Sequence, residues 1–251
     1  MIQIYPLSAI AEVRPGDDLS QILAHAIREA DLEPLASDVL VVTQKIVSKA
    51  EGRFVDLERV TPGSEAIALA ELTRKDARLV ELVLSESSEI IRAVPNVLIA
   101  RHRSGHVMAN AGIDRSNIGP GGDTRALLLP VDADASAARL FADFGAMWPE
   151  PPAVVISDSF GRPWRYGVTG VAIGACGLPA LIDRRGDRDR DGRILEVTQI
   201  ALADMVASAA GLVTGEGAES VPAALVRGLE FSSESRSAAA LVRPMDEDLF
   251  R

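Results

Sequence analysis

Two lysines on one helical turn are the first sign of chemistry in this chain. In the run Thr43-Gln44-Lys45-Ile46-Val47-Ser48-Lys49-Ala50-Glu51-Gly52-Arg53, a hydrophobic strand hands over to two lysines, a serine, a glutamate and an arginine. Lys45 and Lys49 are four apart and share a helix face. Two ammonium groups held that way repel unless an anion lies between them. A phosphate chain meets that need; a solvated basic face at a helix start fits the same spacing. The run is not a Walker A loop, which needs two glycines and a Lys-Ser/Thr pair.

A second segment, Asn110-Ala111-Gly112-Ile113-Asp114-Arg115-Ser116-Asn117, has no apolar periodicity and is dense in hydrogen-bonding side chains. A carboxylate on a glycine-flanked loop can ligate a hard divalent cation, and magnesium commonly takes one or two carboxylates with phosphate oxygens. Asp114 is the candidate ligand and Asn117 a reader of nucleotide or ribose. A turn in which Asp114 bonds its own backbone accounts for the same residues.

The third segment, Ser157-Asp158-Ser159-Phe160-Gly161-Arg162-Pro163-Trp164-Arg165, follows the apolar run Val154-Val155-Ile156. It predicts Asp158 and Ser159 at a strand terminus, with Arg162 and Arg165 close behind. An acid, a hydroxyl and two guanidinium groups suit a metal–phosphate complex and substrate carboxylates. A structural ion pair between Asp158 and Arg162 is the simpler alternative. In Gly215-Glu216-Gly217-Ala218-Glu219 the glycines permit close backbone approach, and Glu216 could reach a metal.

Other motifs carry less. Asp187-Arg188-Asp189-Arg190-Asp191-Gly192 imitates a calcium loop, but Thr198 stands where the bidentate Glu is needed, so a self-neutralising turn is expected. His25, His102 and His106 have no metal-site spacing, and His25 falls in a helix as a partly exposed residue. Cys176, the single cysteine, lies in a Gly- and Ala-rich run and reads as a small packed residue. One cysteine excludes an intrachain disulfide and a four-Cys zinc site.

The elements that must position these residues alternate between strand and helix periods, which predicts a mixed α and β protein. Strands are expected at 2–4, 39–43 (buried on both faces), 53–57, 89–94, 97–101, 153–156 and 223–226. Helices are expected at 19–30, capped by Asp17-Asp18, and at 64–72, 76–84, 133–144 and 198–211. Residues 45–50 continue directly from their strand. Residues 110–123 read as loop, and the last few residues as loosely held. No repeat, coiled coil or linker divides the chain, so one domain over 1–251 is expected.

With 251 residues and 47% hydrophobic composition, the chain can bury a sizeable core. Aromatics are only 4%, so that core must be built from Val, Leu, Ile and Ala. A net charge of −10 argues against a general nucleic-acid binder, while a local basic pocket can still take a small anion. No basic start with an apolar run opens the chain, and no stretch approaches about 18 apolar residues. A cytoplasmic protein with no membrane partner is expected.

Taken together, these segments resemble the coenzyme F420:L-glutamate ligase family, also called F420-0:gamma-glutamyl ligase. The resemblance rests on Pro15-Gly16-Asp17-Asp18-Leu19, Ser48-Lys49-Ala50-Glu51-Gly52-Arg53, Gly112-Ile113-Asp114-Arg115-Ser116-Asn117, Asp158-Ser159-Phe160-Gly161-Arg162-Pro163-Trp164-Arg165, and 169–227. They stand in the family's order and span nearly the whole chain.

The resemblance implies an α+β fold of two entwined subdomains, a homodimer, GTP as co-substrate, two magnesium or manganese sites, and in some members potassium. It implies that GTP phosphorylates the terminal carboxylate of the precursor, F420-0, and that the amine of L-glutamate attacks the acyl phosphate; later rounds extend a gamma-linked tail. Carried over, Asp114 and Asp158 correspond to ligands of one metal, and Ser159 and Glu216 to ligands of the second. Lys49 and Asn117 correspond to GTP contacts. Ile10, Ala11, Glu12 and Val13, the pair Gln44 and Lys45, and 214–221 with Thr214, Gly215 and Gly217 match other nucleotide-contacting stretches. Some relatives continue into a reductase-like domain, and that activity is expected to be absent. The alternatives are the same ligase chemistry on another pterin- or folate-like cofactor, a non-catalytic nucleotide-binding module, and a phosphohydrolase.

Overall fold

The computed structural model describes residues 1–119, 123–232 and 234–248. The positions Pro120, Gly121 and Gly122 of the expected loop, and the chain end at 249–251, lie outside the described residues.

A five-stranded sheet forms the centre. Its strands are β1 (Gln3–Leu7), β2 (Val39–Thr43), β8 (Ala153–Arg162), β9 (Arg165–Cys176) and β12 (Ala223–Arg227). Their order is β1-β12-β2-β8-β9, with β2 and β8 parallel and the other pairs antiparallel. Alternation along β2 explains why it reads as continuously apolar. Leu40 and Val42 face one core, with Leu23 and Ile27 of α1 (Leu19–Glu29) and Leu140 and Phe144 of α5 (Ala133–Met147). Val39 and Val41 face the other, with Val206, Ala207 and Ala210 of α6 (Leu202–Thr214). Each large side chain fully buried here, such as Phe144, stabilises the fold by about 1.5–3 kcal/mol.

The remaining elements are α2 (Gln44–Ala50), β3 (Phe54–Asp56), α3 (Ser64–Thr73), α4 (Ala77–Glu86), β4 (Ser87–Val94), β5 (Val97–His102), β6 (Val107–Ala109), β7 (Arg125–Leu127), β10 (Ile182–Asp183) and β11 (Gln199–Ile200). β4, β5 and β6 form a three-stranded sheet, and β3 pairs with β7. A third core packs Val80 and Val83 of α4 against Leu98 and Ala100 of β5, with Leu57 and Ala126. This is an α+β fold, as expected.

The caps at Asp18, Asp76 and Asp132 bond the first-turn amides of α1, α4 and α5. Three expectations need correction. The strand at 153–156 does not end before Ser157; it runs to Arg162 because β9 supplies a partner along its whole length. β9 lies where no strand is expected. The helix at 198–211 starts at Leu202, because residues 199–200 pair with β10 instead.

The glycines of β9 have a packing reason. A Cβ at Gly170 would collide with the Ala207 carbonyl of α6, and one at Gly174 with the Ala133 carbonyl of α5. Both residues would face the same way in a regular strand. The pairing steps from Ile156–Gly174 to Ser157–Ala172, so one extra residue in β9 forms a bulge and changes the face.

Candidate active site

The parallel pairing of β2 with β8 sets Thr43 beside Ser157. The first turn of α2 therefore begins next to Asp158. Gln44 is fully buried; its Nε2 donates to Asp114 Oδ2 at 2.7 Å, and its Oε1 accepts from Ser48 Oγ at 3.0 Å. Asp114 reaches this point through its backbone, which exchanges two hydrogen bonds with Leu127 at the end of β7, each 2.9 Å. Asp114 is thus not a turn that bonds itself. Lys45 Nζ lies 3.6 Å from Asp114 Oδ2.

Side chains alternate along β8. Val154, Ile156 and Phe160 belong to the core that includes α1, α2 and α5, so Asp158 shares their face. Ser159 points to the other face, where its hydroxyl donates to Glu216 Oε1 at 2.6 Å. Adjacent residues thus serve two separate clusters: Asp114 with Asp158, and Ser159 with Glu216. Arg162 does not pair with Asp158; its Nη2 donates to the Tyr166 carbonyl at 3.0 Å near the β8–β9 turn.

The carboxylate pair is electrostatically unsettled. Burial pushes the Asp158 carboxyl up to about 7, and the neighbouring Asp114 charge adds to the rise. Burial also raises Asp114, opposed by the ammonium of Lys45 and the amide of Gln44. Two carboxyl groups whose charged forms burial disfavours form a fitting donor pair for a divalent cation. Among the described residues, no three His, Cys, Asp or Glu side chains converge on one point. Further ligands would come from hydroxyls, water or substrate oxygens.

These clusters open into a cleft of about 530 Å³. Ile10, Ala11, Glu12 and Val13 form one wall, Gln44, Lys45 and Lys49 another, and Thr214, Gly215, Glu216 and Gly217 a third, with Asn117, Asp158 and Ser159 between them. Asp114 is not on the cleft wall but bonds to Gln44 and Lys45, which are. The two lysines do not share one anion here. Lys45 pairs with Asp114, while Lys49, only 5% exposed, donates to Glu12 Oε1 at 2.6 Å. Asn117 Nδ2 donates to the Gly217 carbonyl at 2.9 Å and ties two walls together.

Sequence reasoning missed the buried Gln44–Ser48 pair, although their spacing of four on a helix was readable. Arg165 stands beside the turn that closes the β8–β9 hairpin, with Trp164 82% exposed. The acidic run at 187–192 is an exposed turn: Arg184 pairs with Asp187 and Arg190 with Asp191. His25 is exposed, and Cys176 is partly buried against the sheet core.

The family model for F420-0:gamma-glutamyl ligase matches residues 9–228. The coenzyme F420:L-glutamate ligase of Methanopyrus kandleri is 44% identical over 254 residues, covering 100% of this chain and 98% of the relative. That of Methanothermobacter thermautotrophicus is 41% identical over 252 residues, with 100% and 99% covered. That of Natronomonas pharaonis is 43% identical over 251 residues, with 98% and 93% covered.

Proposed function

Because this chain belongs to the F420-0:gamma-glutamyl ligase family, we propose that it joins L-glutamate to F420-0 at the expense of GTP, through an acyl phosphate. The observation that carries the reading is the convergence of the strained Asp158 carboxyl and two lysines in one cleft, with Asp114 held behind its wall by Gln44 and Lys45. Lys45 and Lys49 would exchange Asp114 and Glu12 for phosphate oxygens, which offsets charge on the transferring group. The 10–13 wall and the glycines at 215 and 217 would hold the nucleotide, with Asn117 as a polar contact.

Asp114 and Asp158 would hold one magnesium or manganese ion, and Ser159 and Glu216 a second. Bound there, the cations would withdraw charge from the phosphoryl oxygens and favour in-line transfer. Gln44 fixes the Asp114 carboxylate behind the cleft wall by its 2.7 Å hydrogen bond. In the reaction, the acceptor carboxylate takes the γ-phosphoryl group and GDP leaves. The glutamate amine then attacks the carbonyl carbon, loses a proton and expels inorganic phosphate as the amide forms. Holding the reactants in one cleft supplies much of the acceleration.

We further assign the protein as a homodimer. The β8–β9 hairpin presents Trp164, Tyr166 and Val168 to solvent, an apolar strip that a second copy could cover. No described helix is long and apolar enough to cross a membrane.

The test is mass spectrometry of the products after incubation with F420-0, L-glutamate, GTP and manganese, with and without potassium. A gain of one or more glutamyl units that requires GTP supports the reading. GTP binding without any gain would shift the assignment to another pterin-like acceptor or to a non-catalytic module, and phosphate release without glutamate to a phosphohydrolase.

A further inference from the structure

A second cavity, of about 540 Å³, is lined by Arg53, Glu86, His102, Arg103 and His106, and by Asp132 to Asp134 where α5 begins. Its charged groups face one another: Glu86 Oε2 is 2.9 Å from Arg53 Nη2 and 3.8 Å from His102 Nε2. Beside β2, the fully buried Asp38 accepts from Arg227 Nε at 2.9 Å and Nη2 at 2.6 Å. In such pairs the carboxylate is buried with its cation, and neither can leave without stranding the other. One ion pair in the cleft is built the other way round.

Lys49 is only 5% exposed, and its ammonium meets Glu12 Oε1 at 2.6 Å, while the Glu12 side chain is 55% exposed. The cation is the fixed member. It stands on α2, whose Ile46 and Val47 belong to the core. The backbone carrying Glu12 is held too, since Val13 packs into that core and Gly16 N donates to the Ala50 carbonyl at 2.9 Å. What can move is the Glu12 side chain. A Cβ at Gly119 would come within 2.9 Å of Glu12 Oε1, so the carboxylate lies between Lys49 and that glycine, both of them on the cleft wall.

The two partners differ in what departure costs them. Glu12 is already more than half in water and loses little by swinging out. Lys49 would be left as a buried charge without a counterion, which is costly unless another anion arrives. Exchange of one anion for another is therefore the permitted move. Lys45 offers no such exchange as readily, because its partner Asp114 is itself held by Gln44 and by the Leu127 backbone. A carboxylate tethered this close competes at an effective concentration on the order of millimolar. A ligand that needs Lys49 then binds with its intrinsic Kd divided by the fraction of molecules in which Glu12 has left.

We propose that Glu12 is a resident competitor for the phosphate chain: it holds Lys49 until a phosphate oxygen displaces it, and so sets the affinity of the cleft for nucleotide. The proposal rests on the ligase reading for the identity of the ligand, and on the exposed carboxylate over a buried ammonium for the competition. Full-length wild type, Glu12→Gln, Lys49→Met and the double variant are titrated with a fluorescent GTP analogue in manganese buffer, with melting curves alongside. Glu12→Gln keeps the length of the side chain and loses its charge, and should tighten binding about threefold to fivefold. In the Lys49→Met background the same change should move the Kd by less than about 1.5-fold. Should Lys49→Met fail to melt cooperatively, Lys49→Gln supplies the background. Unchanged or weaker binding by Glu12→Gln would overturn the proposal, since Glu12 would then be aiming the lysine. An equal gain in both backgrounds would overturn it as well, because plain repulsion between Glu12 and phosphate needs no lysine. If wild type binds no GTP analogue, inorganic triphosphate followed by calorimetry takes its place. Tightening that requires Lys49 then upholds the competitor without the ligase reading; no binding of triphosphate removes both.

Discussion

The two cavities are nearly equal in size and differ in how far their charges are answered. In the cleft, burial first and the Asp114 charge second push Asp158 up to about 7. In the second cavity the charges answer one another: Glu86 faces Arg53, His102 and Arg103, and Asp132 and Asp134 accept from main-chain amides. The mixed-charge turn at 183–193 shows what the same residue types do in the open. There, each charged neighbour is answered locally, as in Asp183–Arg185, and the segment stays exposed. Charge density alone therefore says little; burial of that charge in a concave place says much.

Breaking the cleft side of this contrast should have the largest effect. Asp158→Asn is expected to lower kcat by about a hundredfold or more while the circular dichroism spectrum stays native. In cation-free buffer at pH 8 the same variant should melt higher than wild type, because a strained charge is gone. Turnover near wild type at saturating manganese would remove Asp158 from the reaction.

Lys49→Met comes next. Loss of a buried ammonium from a phosphate site should weaken GTP about tenfold to a hundredfold in calorimetry, and leave Glu12, half exposed, without much penalty.

A smaller effect tests the carboxylate pair through pH. The folded pKa of Asp158 lies above its ordinary value, so its contribution to stability is full below about pH 4 and is lost as pH rises toward 7. A divalent cation needs the deprotonated form. Manganese should therefore raise the melting temperature by several degrees at pH 8 and by much less at pH 5. Equal shifts at both values would show that the cation binds elsewhere.

The smallest effect belongs to the control region. Asp191→Asn in the exposed turn should change stability by less than about 0.5 kcal/mol and leave kcat unaltered. A large loss would mean the turn has a partner of its own.

Much of the scaffold was legible because local patterns and tertiary packing agree. Val39–Thr43 reads as a doubly buried strand and is one, and the aspartate caps of α1, α4 and α5 sit where their amides need them. The site segments were legible for a different reason: a polar cluster at the end of a buried strand has few structural uses.

What stayed hidden depends on partners remote in sequence. β9 has three glycines where a strand pattern needs bulk, and two of them are explained by helices packed against opposite faces. The three-residue β7 exists because β3 and Asp114 both pair with it. His102 and His106 carry no helical spacing meaning, because they flank the tight β5–β6 turn, where a backbone hydrogen bond and the Ser104 hydroxyl join them.

The bulge at the sheet edge falls in β9 and spares β8. In β8 the odd and even positions keep separate identities from Ala153 to Phe160, so the division between the Asp158 and Ser159 clusters is a matter of parity. Any point substitution upstream leaves that parity alone, however damaging it is to packing. A single-residue insertion or deletion between Ala153 and Asp158 would exchange the two clusters at one stroke, while a two-residue change would restore their sides. Over evolutionary time, length in this strand should be frozen far more tightly than its composition.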